Sequence, residues 1–264
     1  MAEAPILTKE LDGAVLILTL NRPEARNALS EELMGALQTA LDGAAGDKAV
    51  KAVVIAANGP AFCAGHDLKQ MTPHMQDTDK GRAYFEKLFA QCSRLMQAIV
   101  RCPKPVIAQV HGIATAAGCQ LVASCDLAMA SDAARFATPG VNIGLFCSTP
   151  MVALSRNVPR KVAMEMLLTG ELIDAKTAKA IGLVNHVSTH DELRVTTMHF
   201  ARLIASKSRS SVALGKEAFY RQLDMSLSEA YDYASEVMTR NMMMADAGEG
   251  IGAFIDKRTP KWEA

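Results

Sequence analysis

The sequence predicts an α/β fold in which strands and helices alternate over most of the chain and a helical region follows. Short apolar runs typical of strands recur up to about residue 190, and segments with helical spacing separate them. Alternation of this kind is typical of a sheet core with helices packed outside it. From about residue 192 the pattern is helical almost to the end. The third observation is a pair of small-residue turns, each placed after an apolar run.

The first elements are a buried strand and an amphipathic helix. Residues 14–20 are almost entirely apolar, which is typical of a strand covered on both faces. Ser30 is a good N-cap for the helix that follows. Its apolar face is marked by residues at helical spacing: Leu33, Leu37 and Leu41. A second buried strand is predicted over residues 52–56.

The middle of the chain predicts a loop, a long helix and a third strand. Pro73 and several charges predict a loop over residues 69–80. Helical spacing over residues 79–100 ends before Pro103 and is followed by an apolar strand over residues 106–110. A further helix is predicted over residues 116–123.

The remaining elements are short strands and helices. Strands are predicted over residues 125–130, 135–137 and 182–187, and a helix over 163–168 with Gly170 as its C-cap. The helical tail has four methionines that either fill gaps in the core, which is the favoured expectation, or face a neighbouring subunit: Met238, Met242, Met243 and Met244.

Composition excludes several classes of function. The 264 residues carry 28 basic and 28 acidic side chains, so no general basic face for nucleic acid or an anionic membrane is expected. No stretch approaches the roughly 18 uninterrupted apolar residues of a membrane span, and the N-terminus does not resemble a secretory signal. The six cysteines show no metal-binding spacing, which predicts reduced thiols, no metal and a cytoplasmic protein.

The two small-residue turns are the candidate site. Residues 62–68 follow the strand at 52–56, and residues 111–121 follow the strand at 106–110. Small residues let the backbone turn sharply and approach a ligand closely. Two such turns could direct two backbone N–H groups at one oxygen, which is an oxyanion hole for charge developing on a carbonyl.

These residues resemble the crotonase (enoyl-CoA hydratase/isomerase) superfamily over essentially the whole chain. The matching motifs are NRPEARNAL at 21–29, AFCAGHDL at 61–68, KPVIA at 104–108, CDL at 125–127 and EGIGAFIDKR at 249–258. Each is a weak match alone, whereas all five in this order are a strong one. Two further stretches, 144–150 and 257–262, are typical of one subgroup within this superfamily.

The resemblance implies a spiral of ββα units and an acyl-CoA ligand. Residues 1–200 would form the spiral core with the acyl-CoA site, and residues 201–264 a helical oligomerisation region. It also implies homotrimers, often paired as hexamers. No permanently bound cofactor is implied, because coenzyme A enters as part of the substrate.

The resemblance also assigns binding residues. The thioester oxygen would be held by the backbone N–H groups of Ala64 and Ala117, although the family has glycine at the second position. Lys257 would either reach the phosphates of coenzyme A or remain an exposed lysine. The other residues expected along the groove are Ala25, Ala28, Gly65, His66, Asp67 and Leu68.

The acid–base groups of the family's hydratases are missing. These hydratases use two glutamates, and the matching positions here hold Gln120 and Gly140. Neither residue can move a proton near neutral pH, so standard hydratase activity is not expected. Other candidates for a catalytic group are each better explained by packing, turn formation or exposure: Cys147, Ser148, His66, His111, Asp67, Asp126 and Glu86.

The sequence therefore predicts a family member of acyl-CoA and fatty-acid metabolism with an oxyanion hole but without the hydratase glutamates. One alternative is decarboxylase- or thioesterase-type chemistry on CoA thioesters, which needs mainly enolate or oxyanion stabilisation. Another is weak hydration or isomerisation through water around Gln120. A third, of a different class, is a non-catalytic acyl-CoA-binding protein.

Overall fold

The structure is a computed structural model, and it describes residues 4–263. The strands are β1 (Leu7–Asp12), β2 (Val15–Leu20), β3 (Ala52–Ala57), β4 (Ala61–Cys63), β5 (Val106–Val110), β6 (Ile113–Thr115), β7 (Leu127–Ser131), β8 (Arg135–Ala137), β9 (Ile173–Asp174) and β10 (His186–Ser188). The α-helices are α1 (Glu31–Gly46), α2 (Leu68–Met71), α3 (Arg82–Arg101), α4 (Ala117–Ser124), α5 (Ser148–Leu154), α6 (Arg160–Thr169), α7 (Ala175–Ala180), α8 (Leu193–Ala205), α9 (Arg209–Gln222), α10 (Leu227–Met242) and α11 (Ala245–Ile255).

The strands form two sheets, and from β3 to β8 successive strands alternate between them. The larger sheet has the order β1-β2-β3-β5-β7-β10 and is parallel except for β1, which pairs antiparallel with β2. The smaller sheet has the order β4-β6-β8-β9. Because β3, β5 and β7 are each followed by a short strand of the smaller sheet and then by a helix, the chain winds as a spiral of ββα units. The predicted α/β fold is confirmed.

The larger sheet is covered on both faces. On one face it packs against α1 and α3, whose buried side chains include Leu33, Leu37 and Leu95. Ser30 caps α1 as predicted, since its side chain accepts a hydrogen bond from the Leu33 N–H at 3.2 Å. On the other face α8 packs over β2, β3 and β5. Burial on both faces explains why β2 and β3 are nearly continuous apolar runs.

The side chain of Lys216 ties α9 to the core. The Lys216 ammonium on α9 donates to the carbonyls of Ile99 and Lys104, each at 3.0 Å, and to the Asp126 carboxylate at 2.6 Å. The Tyr220 hydroxyl donates to the other Asp126 oxygen at 2.9 Å. This network holds α9 against the loop that leads into β5.

The helical tail differs from the prediction in two ways. The expected boundary at residue 200 lies inside α8, which packs on the larger sheet, so the core continues to the end of that helix. Met238, Met242 and Met243 are exposed rather than packed in the core. Other large apolar side chains exposed on α9, α10 and α11 are Phe219, Leu223, Leu227, Tyr231, Ile251, Phe254 and Ile255.

Two local predictions are also corrected. Residues 69–80 were predicted as a loop, but the structure has α2 followed by a 3-10 helix, Thr72–Gln76. Asp67 caps α2, and Pro73 lies at the start of the 3-10 helix, where a missing N–H is tolerated. The strand expected over 182–187 begins only at His186, because Gly182 has a φ of 86° and makes a turn. Within residues 4–263 no helix is long and apolar enough to cross a membrane.

Candidate functional site

The two small-residue turns meet beside the smaller sheet. β4 and β6 pair in parallel, so the chain leaving β4 runs next to the chain leaving β6. The Thr115 hydroxyl bridges the turns by donating to the Ala64 carbonyl at 3.1 Å. A Cβ atom at Gly118 would overlap the Cys63 carbonyl, and one at Gly65 would lie 2.9 Å from the Ala116 Cβ. Both glycines are therefore required for this close backbone approach.

The first turn is also bonded to the segment that precedes α1. The Ala64 N–H donates to the Arg26 carbonyl at 3.1 Å. The Leu29 N–H donates to the Gly65 carbonyl at 2.7 Å, and the Asp67 N–H donates to the Leu29 carbonyl at 3.3 Å. These bonds form a short parallel bridge that fixes the turn.

Arg22 fastens the same two segments through its side chain. Its guanidinium donates to the Ala28 carbonyl at 2.8 Å and to the Asp67 carboxylate at 3.0 Å. Ala25 ends the 3-10 helix Pro23–Ala25, and its carbonyl accepts from the Ala28 N–H. Arg22 thus links the Ala28 carbonyl to Asp67 of the first turn, and Ala25 is bonded to Ala28.

Of the two predicted backbone donors, Ala64 and Ala117, the structure leaves only one free. The Ala64 N–H already donates to Arg26, so it is not available to a ligand. In the bridge to Leu29, the bonds pass through the Gly65 carbonyl and the Asp67 N–H, so the His66 N–H faces the other way. Among residues 4–263 the His66 N–H has no acceptor. The donor available in the first turn is therefore His66.

The second candidate donor is the Ala117 N–H. Ala117 is the first residue of α4, where a backbone N–H has no partner inside the helix. The positive φ of this turn falls on Ala116, which has φ 50° and ψ −120°, a conformation that normally belongs to glycine. Two hydrogen bonds hold it: the Ala116 N–H donates to Ala137, and its carbonyl accepts from Gln120. Alanine at 117 is therefore unstrained, and the strain lies one residue earlier.

The two positions of the missing glutamates differ in the space around them. Gln120 is only 5% exposed, and its side-chain oxygen lies 3.9 Å from the Cys92 thiol on α3. A Cβ atom at Gly140 would lie 2.7 Å from the Leu145 carbonyl oxygen and 2.9 Å from the Cys147 sulfur. The Gly140 N–H also donates to that sulfur at 3.3 Å. Gln120 leaves room for a carboxyl of the same size, whereas Gly140 leaves room for no side chain.

The buried thiols near the site are not acid–base groups at neutral pH. Burial raises the pKa of Cys63, Cys92 and Cys119 to about 12 in each case. Burial also raises the pKa of Cys147, and the Gly140 N–H offsets part of that shift. The six cysteines are all buried and free.

His66 contributes a ring as well as a backbone donor. Both ring nitrogens are buried, and among residues 4–263 neither makes a hydrogen bond of good geometry, although the Leu29 carbonyl lies close enough to act on the ring. The ring packs edge-on against Phe89 of α3, with 5.6 Å between ring centroids. Burial lowers the pKa of the imidazole, and the Leu29 carbonyl offsets part of that shift. The ring is therefore neutral at physiological pH.

Other side chains considered from the sequence have structural partners or face solvent. Asp67 caps α2 and pairs with Arg22, and Asp126 holds Lys216. The His111 ring is 2.8 Å from the Gly59 carbonyl. The residues that are exposed are Glu86, Ser148 and Leu68. Lys257 is exposed and follows α11, the helix that packs against α9 and α10. Among residues 4–263 no group of three acidic, histidine or cysteine residues could hold a metal ion.

Comparison with known proteins identifies the family. The enoyl-CoA hydratase/isomerase family model matches residues 10–264. The chain is 50% identical over 258 residues to human "Enoyl-CoA hydratase domain-containing protein 3, mitochondrial", covering 98% of this chain and 83% of that protein. This is the subgroup indicated by residues 144–150 and 257–262, and that prediction is confirmed.

The comparison corrects the predicted localisation. Relatives of the same name in mouse, rat and Xenopus laevis are, like the human protein, named as mitochondrial. The prediction of a cytoplasmic protein rested on free thiols and is contradicted by these relatives. Free thiols exclude an oxidising compartment but do not distinguish one reducing compartment from another.

Solved structures agree with the sequence comparison. An enoyl-CoA hydratase from Mycobacterium smegmatis has a TM-score of 0.94 and 53% identity, covering 98% of this chain and 100% of that one. The human enoyl-CoA hydratase domain-containing protein 3 has a TM-score of 0.93 and 48% identity over 98% of this chain and 100% of that one. From the family model, the relatives and the shared fold, the chain belongs to the enoyl-CoA hydratase/isomerase family.

Proposed function

We propose that the chain binds acyl-CoA thioesters and holds the thioester oxygen with the N–H groups of His66 and Ala117. Three observations support this. The two donors lie on turns that touch, neither has an acceptor among residues 4–263, and the chain belongs to a family whose members are named for CoA thioesters. Coenzyme A enters with the substrate, and no permanently bound cofactor is proposed.

Two fixed backbone donors stabilise negative charge on a carbonyl oxygen. Because the turns are held by Arg22, Thr115 and the Leu29 bridge, the donors need no rearrangement when charge develops. Loss of one such donor typically costs about a hundredfold to a thousandfold in rate. The site therefore suits reactions that pass through an enolate or a tetrahedral oxyanion.

Hydration by two glutamates is not part of the proposal. The observation that carries this conclusion is the lack of space at Gly140, where even a Cβ atom would meet the Leu145 carbonyl. Gln120 cannot exchange a proton, and the nearby thiols have raised pKa values. Among residues 4–263, the site has two backbone donors that can stabilise negative charge but no pair of side chains that can exchange protons.

Decarboxylation of a malonyl-type thioester fits these residues best. Breaking the bond to the carboxylate releases carbon dioxide and leaves its electron pair as an enolate, so no general base is needed for that step. The oxyanion donors stabilise the enolate until a proton from solvent reaches the carbon. Thioester hydrolysis would use the same two donors, because its tetrahedral intermediate carries negative charge on the same oxygen.

A second candidate is a non-catalytic acyl-CoA-binding protein. The observation that favours it is the structural use of the carboxylate in the first turn, since Asp67 caps α2 and pairs with Arg22. In this case the two backbone donors only bind the thioester oxygen and take part in no reaction.

One set of measurements separates these candidates. Calorimetric titration with butyryl-CoA tests binding, and mass spectrometry after incubation with malonyl-, crotonyl- and butyryl-CoA tests turnover. We expect binding, no hydration of crotonyl-CoA, and decarboxylation of the malonyl thioester. Binding without any turnover favours the non-catalytic candidate. Absence of binding would reject the proposed function, and rapid hydration of crotonyl-CoA would reject the argument from Gly140.

We also propose that the chain assembles as a trimer, or as a hexamer of paired trimers, through its C-terminal helices. Large apolar side chains are exposed on all three, including Leu223, Tyr231 and Phe254. We propose that Lys257, which is exposed and follows α11, binds the phosphates of coenzyme A through its ammonium group. Sedimentation analysis tests the assembly, and a monomer at micromolar concentration would contradict it.

A further inference from the structure

Gln120 carries a polar amide into the buried part of the site. All eight residues of α4 are buried, and the Gln120 side-chain oxygen lies 3.9 Å from the Cys92 thiol of α3. Burial raises the pKa of that thiol to about 12, so the thiol keeps its proton and donates to the oxygen. This contact turns the amide oxygen towards α3 and leaves the amide nitrogen for another partner.

The amide nitrogen of Gln120 is a hydrogen-bond donor without a protein acceptor. Among residues 4–263 it donates to no group, yet it is not one of the polar atoms that the fold seals off from solvent. The small exposed part of this side chain therefore includes its donor. An open donor of this kind bonds a water or a ligand without rearrangement of the protein.

The helix places this amide beside the proposed oxyanion hole. Ala117 and Gln120 are the first and fourth residues of α4, so their Cβ atoms lie about 5–6 Å apart on one face. Side chains of an α-helix lean towards its N-terminus, so the Gln120 amide lies over the turn that carries the Ala117 N–H. When a thioester oxygen binds that N–H, the first one or two carbons beyond the carbonyl are within reach of the amide.

The buried surroundings of Gln120 favour the acyl chain, rather than coenzyme A, as its neighbour. Coenzyme A is large and carries phosphates, so it has to extend into solvent. The first turn leads to solvent, since Leu68 is 49% exposed, whereas α4 is buried along its whole length. The two substituents of a thioester carbonyl point away from each other. A coenzyme A that leaves past the first turn therefore directs the acyl chain towards α4.

We propose that Gln120 is a specificity-determining residue that selects malonyl-type thioesters by donating a hydrogen bond from its amide to the carboxylate of the acyl chain. The inference rests on the proposed function, since it requires that the thioester binds between His66 and Ala117. The amide carries no charge and offers N–H groups, which a carboxylate accepts. A glutamate of the same shape would repel that carboxylate when ionised.

A neutral donor also suits the loss of carbon dioxide. In that step the bond between the α-carbon and the carboxylate breaks, and its electron pair passes into the enolate held by His66 and Ala117. The negative charge thus moves from the carboxylate to the thioester oxygen. A cation beside the carboxylate would stabilise the substrate more than the transition state, whereas an amide orients the carboxylate with a weaker hold on its charge. Arg22, the cation that fastens the first turn, is already paired with Asp67.

The experiment uses two thioesters that share the shape of a malonyl thioester but cannot lose carbon dioxide. Sulfoacetyl-CoA carries a sulfonate in place of the carboxylate, and 3-methylbutyryl-CoA carries two methyl groups there and no charge. Calorimetric titration gives the affinity of each. We expect the unmodified protein to bind sulfoacetyl-CoA at least as tightly as 3-methylbutyryl-CoA, although the charged group has to leave water.

Two variants of Gln120 test the hydrogen bond itself. Gln120→Met keeps the length of the side chain without its N–H groups, and a hydrogen bond to a charged group corresponds to about a tenfold to hundredfold difference in affinity. We expect that loss for sulfoacetyl-CoA and a much smaller change for 3-methylbutyryl-CoA. In Gln120→Glu the affinity for sulfoacetyl-CoA is expected to fall as the pH rises and the new carboxyl ionises. The unmodified protein is expected to lack this decline.

The matched control is Gln97→Met. Gln97 is an exposed glutamine of α3 whose amide bonds to Ser93 in the same helix. Its replacement makes the same chemical change away from α4, so both affinities are expected to stay as in the unmodified protein.

Two results would overturn the inference. One is an unmodified protein that binds butyryl-CoA or 3-methylbutyryl-CoA but not sulfoacetyl-CoA, and this result needs no variant. The other is a Gln120→Met variant that leaves the affinity for sulfoacetyl-CoA unchanged or weakens both thioesters equally. Either result leaves acyl-CoA binding intact, whereas failure of all these thioesters to bind the unmodified protein would reject the proposed function itself.

Discussion

Gly140→Glu is expected to destabilise the protein without creating a hydratase. The first side-chain atom would lie 2.7 Å from the Leu145 carbonyl oxygen and 2.9 Å from the Cys147 sulfur. Both distances are shorter than van der Waals contact, and overpacking of this kind typically costs about 1–3 kcal/mol. Shortening Cys147 would relieve only one contact, because the Leu145 carbonyl belongs to the backbone.

Gly43→Glu is the matched control for this substitution. Gly43 lies in α1, is exposed, and has nothing within 4 Å of a Cβ atom built on it. Replacing an exposed helical glycine is expected to stabilise the protein by up to about 1 kcal/mol. The same chemical change therefore has opposite expected effects at the two positions.

The assay combines urea unfolding with a measurement of crotonyl-CoA hydration. Hydration is monitored as the loss of absorbance from the conjugated double bond of crotonyl-CoA. We expect Gly140→Glu to lower the unfolding midpoint. The double variant Gln120→Glu, Gly140→Glu is expected to show no hydration, because the carboxyl introduced at position 140 cannot occupy the site. The reasoning is refuted if Gly140→Glu leaves the midpoint unchanged, or if the double variant hydrates crotonyl-CoA readily.

Three further predictions concern the second turn and the C-terminal tail. Ala116→Gly is expected to raise stability by about 1 kcal/mol in thermal unfolding, because glycine adopts a φ of 50° without strain; a lower midpoint would contradict this. Ala117→Pro removes one proposed oxyanion donor, so we expect at least about threefold to tenfold weaker binding of butyryl-CoA. Leu227→Pro, at the first position of α10, is its control and is expected to bind normally; equal binding by both variants would exclude the Ala117 donor. Hydrogen bonds from Arg258 and the Lys261 N–H lower the pKa of Glu249 to about 2. The tail docking that they provide is therefore complete above the usual glutamate pKa and is lost as the pH falls towards 2. Fluorescence of Trp262, the single tryptophan, is expected to follow that loss, and Glu249→Gln to remove the acid transition; an unchanged transition would show that another group controls it.

Much of the fold was predictable because its strands are buried on both faces. β2, β3 and β5 appear in the sequence as continuous apolar runs, and α1 and α3 as segments with helical spacing. The smaller sheet was harder to predict, because β4 and β6 have only three residues each and lie inside the small-residue turns. Strands that short carry no recognisable alternation of their own.

The site was predictable in its location but not in its donors. Small residues after β3 and β5 indicated where the backbone approaches a ligand. The choice between the Ala64 and His66 N–H groups depends on the bonds to Arg26 and Leu29, which are about forty residues away in the chain. Local sequence carries no signal for such a pairing. The missing space at Gly140 likewise depends on how residues 145–147 fold back over it.

The most direct test of the oxyanion hole is the infrared spectrum of a bound thioester carbonyl. Butyryl-CoA labelled with a carbon isotope at the carbonyl allows its stretching band to be separated from the protein bands by difference spectroscopy. Two fixed N–H donors, from His66 and Ala117, are expected to polarise the carbonyl and shift its band to lower frequency than in water. The shift is expected to shrink in Ala117→Pro at saturating ligand. A bound carbonyl with the same frequency as in water would contradict the claim that these two turns form an oxyanion hole.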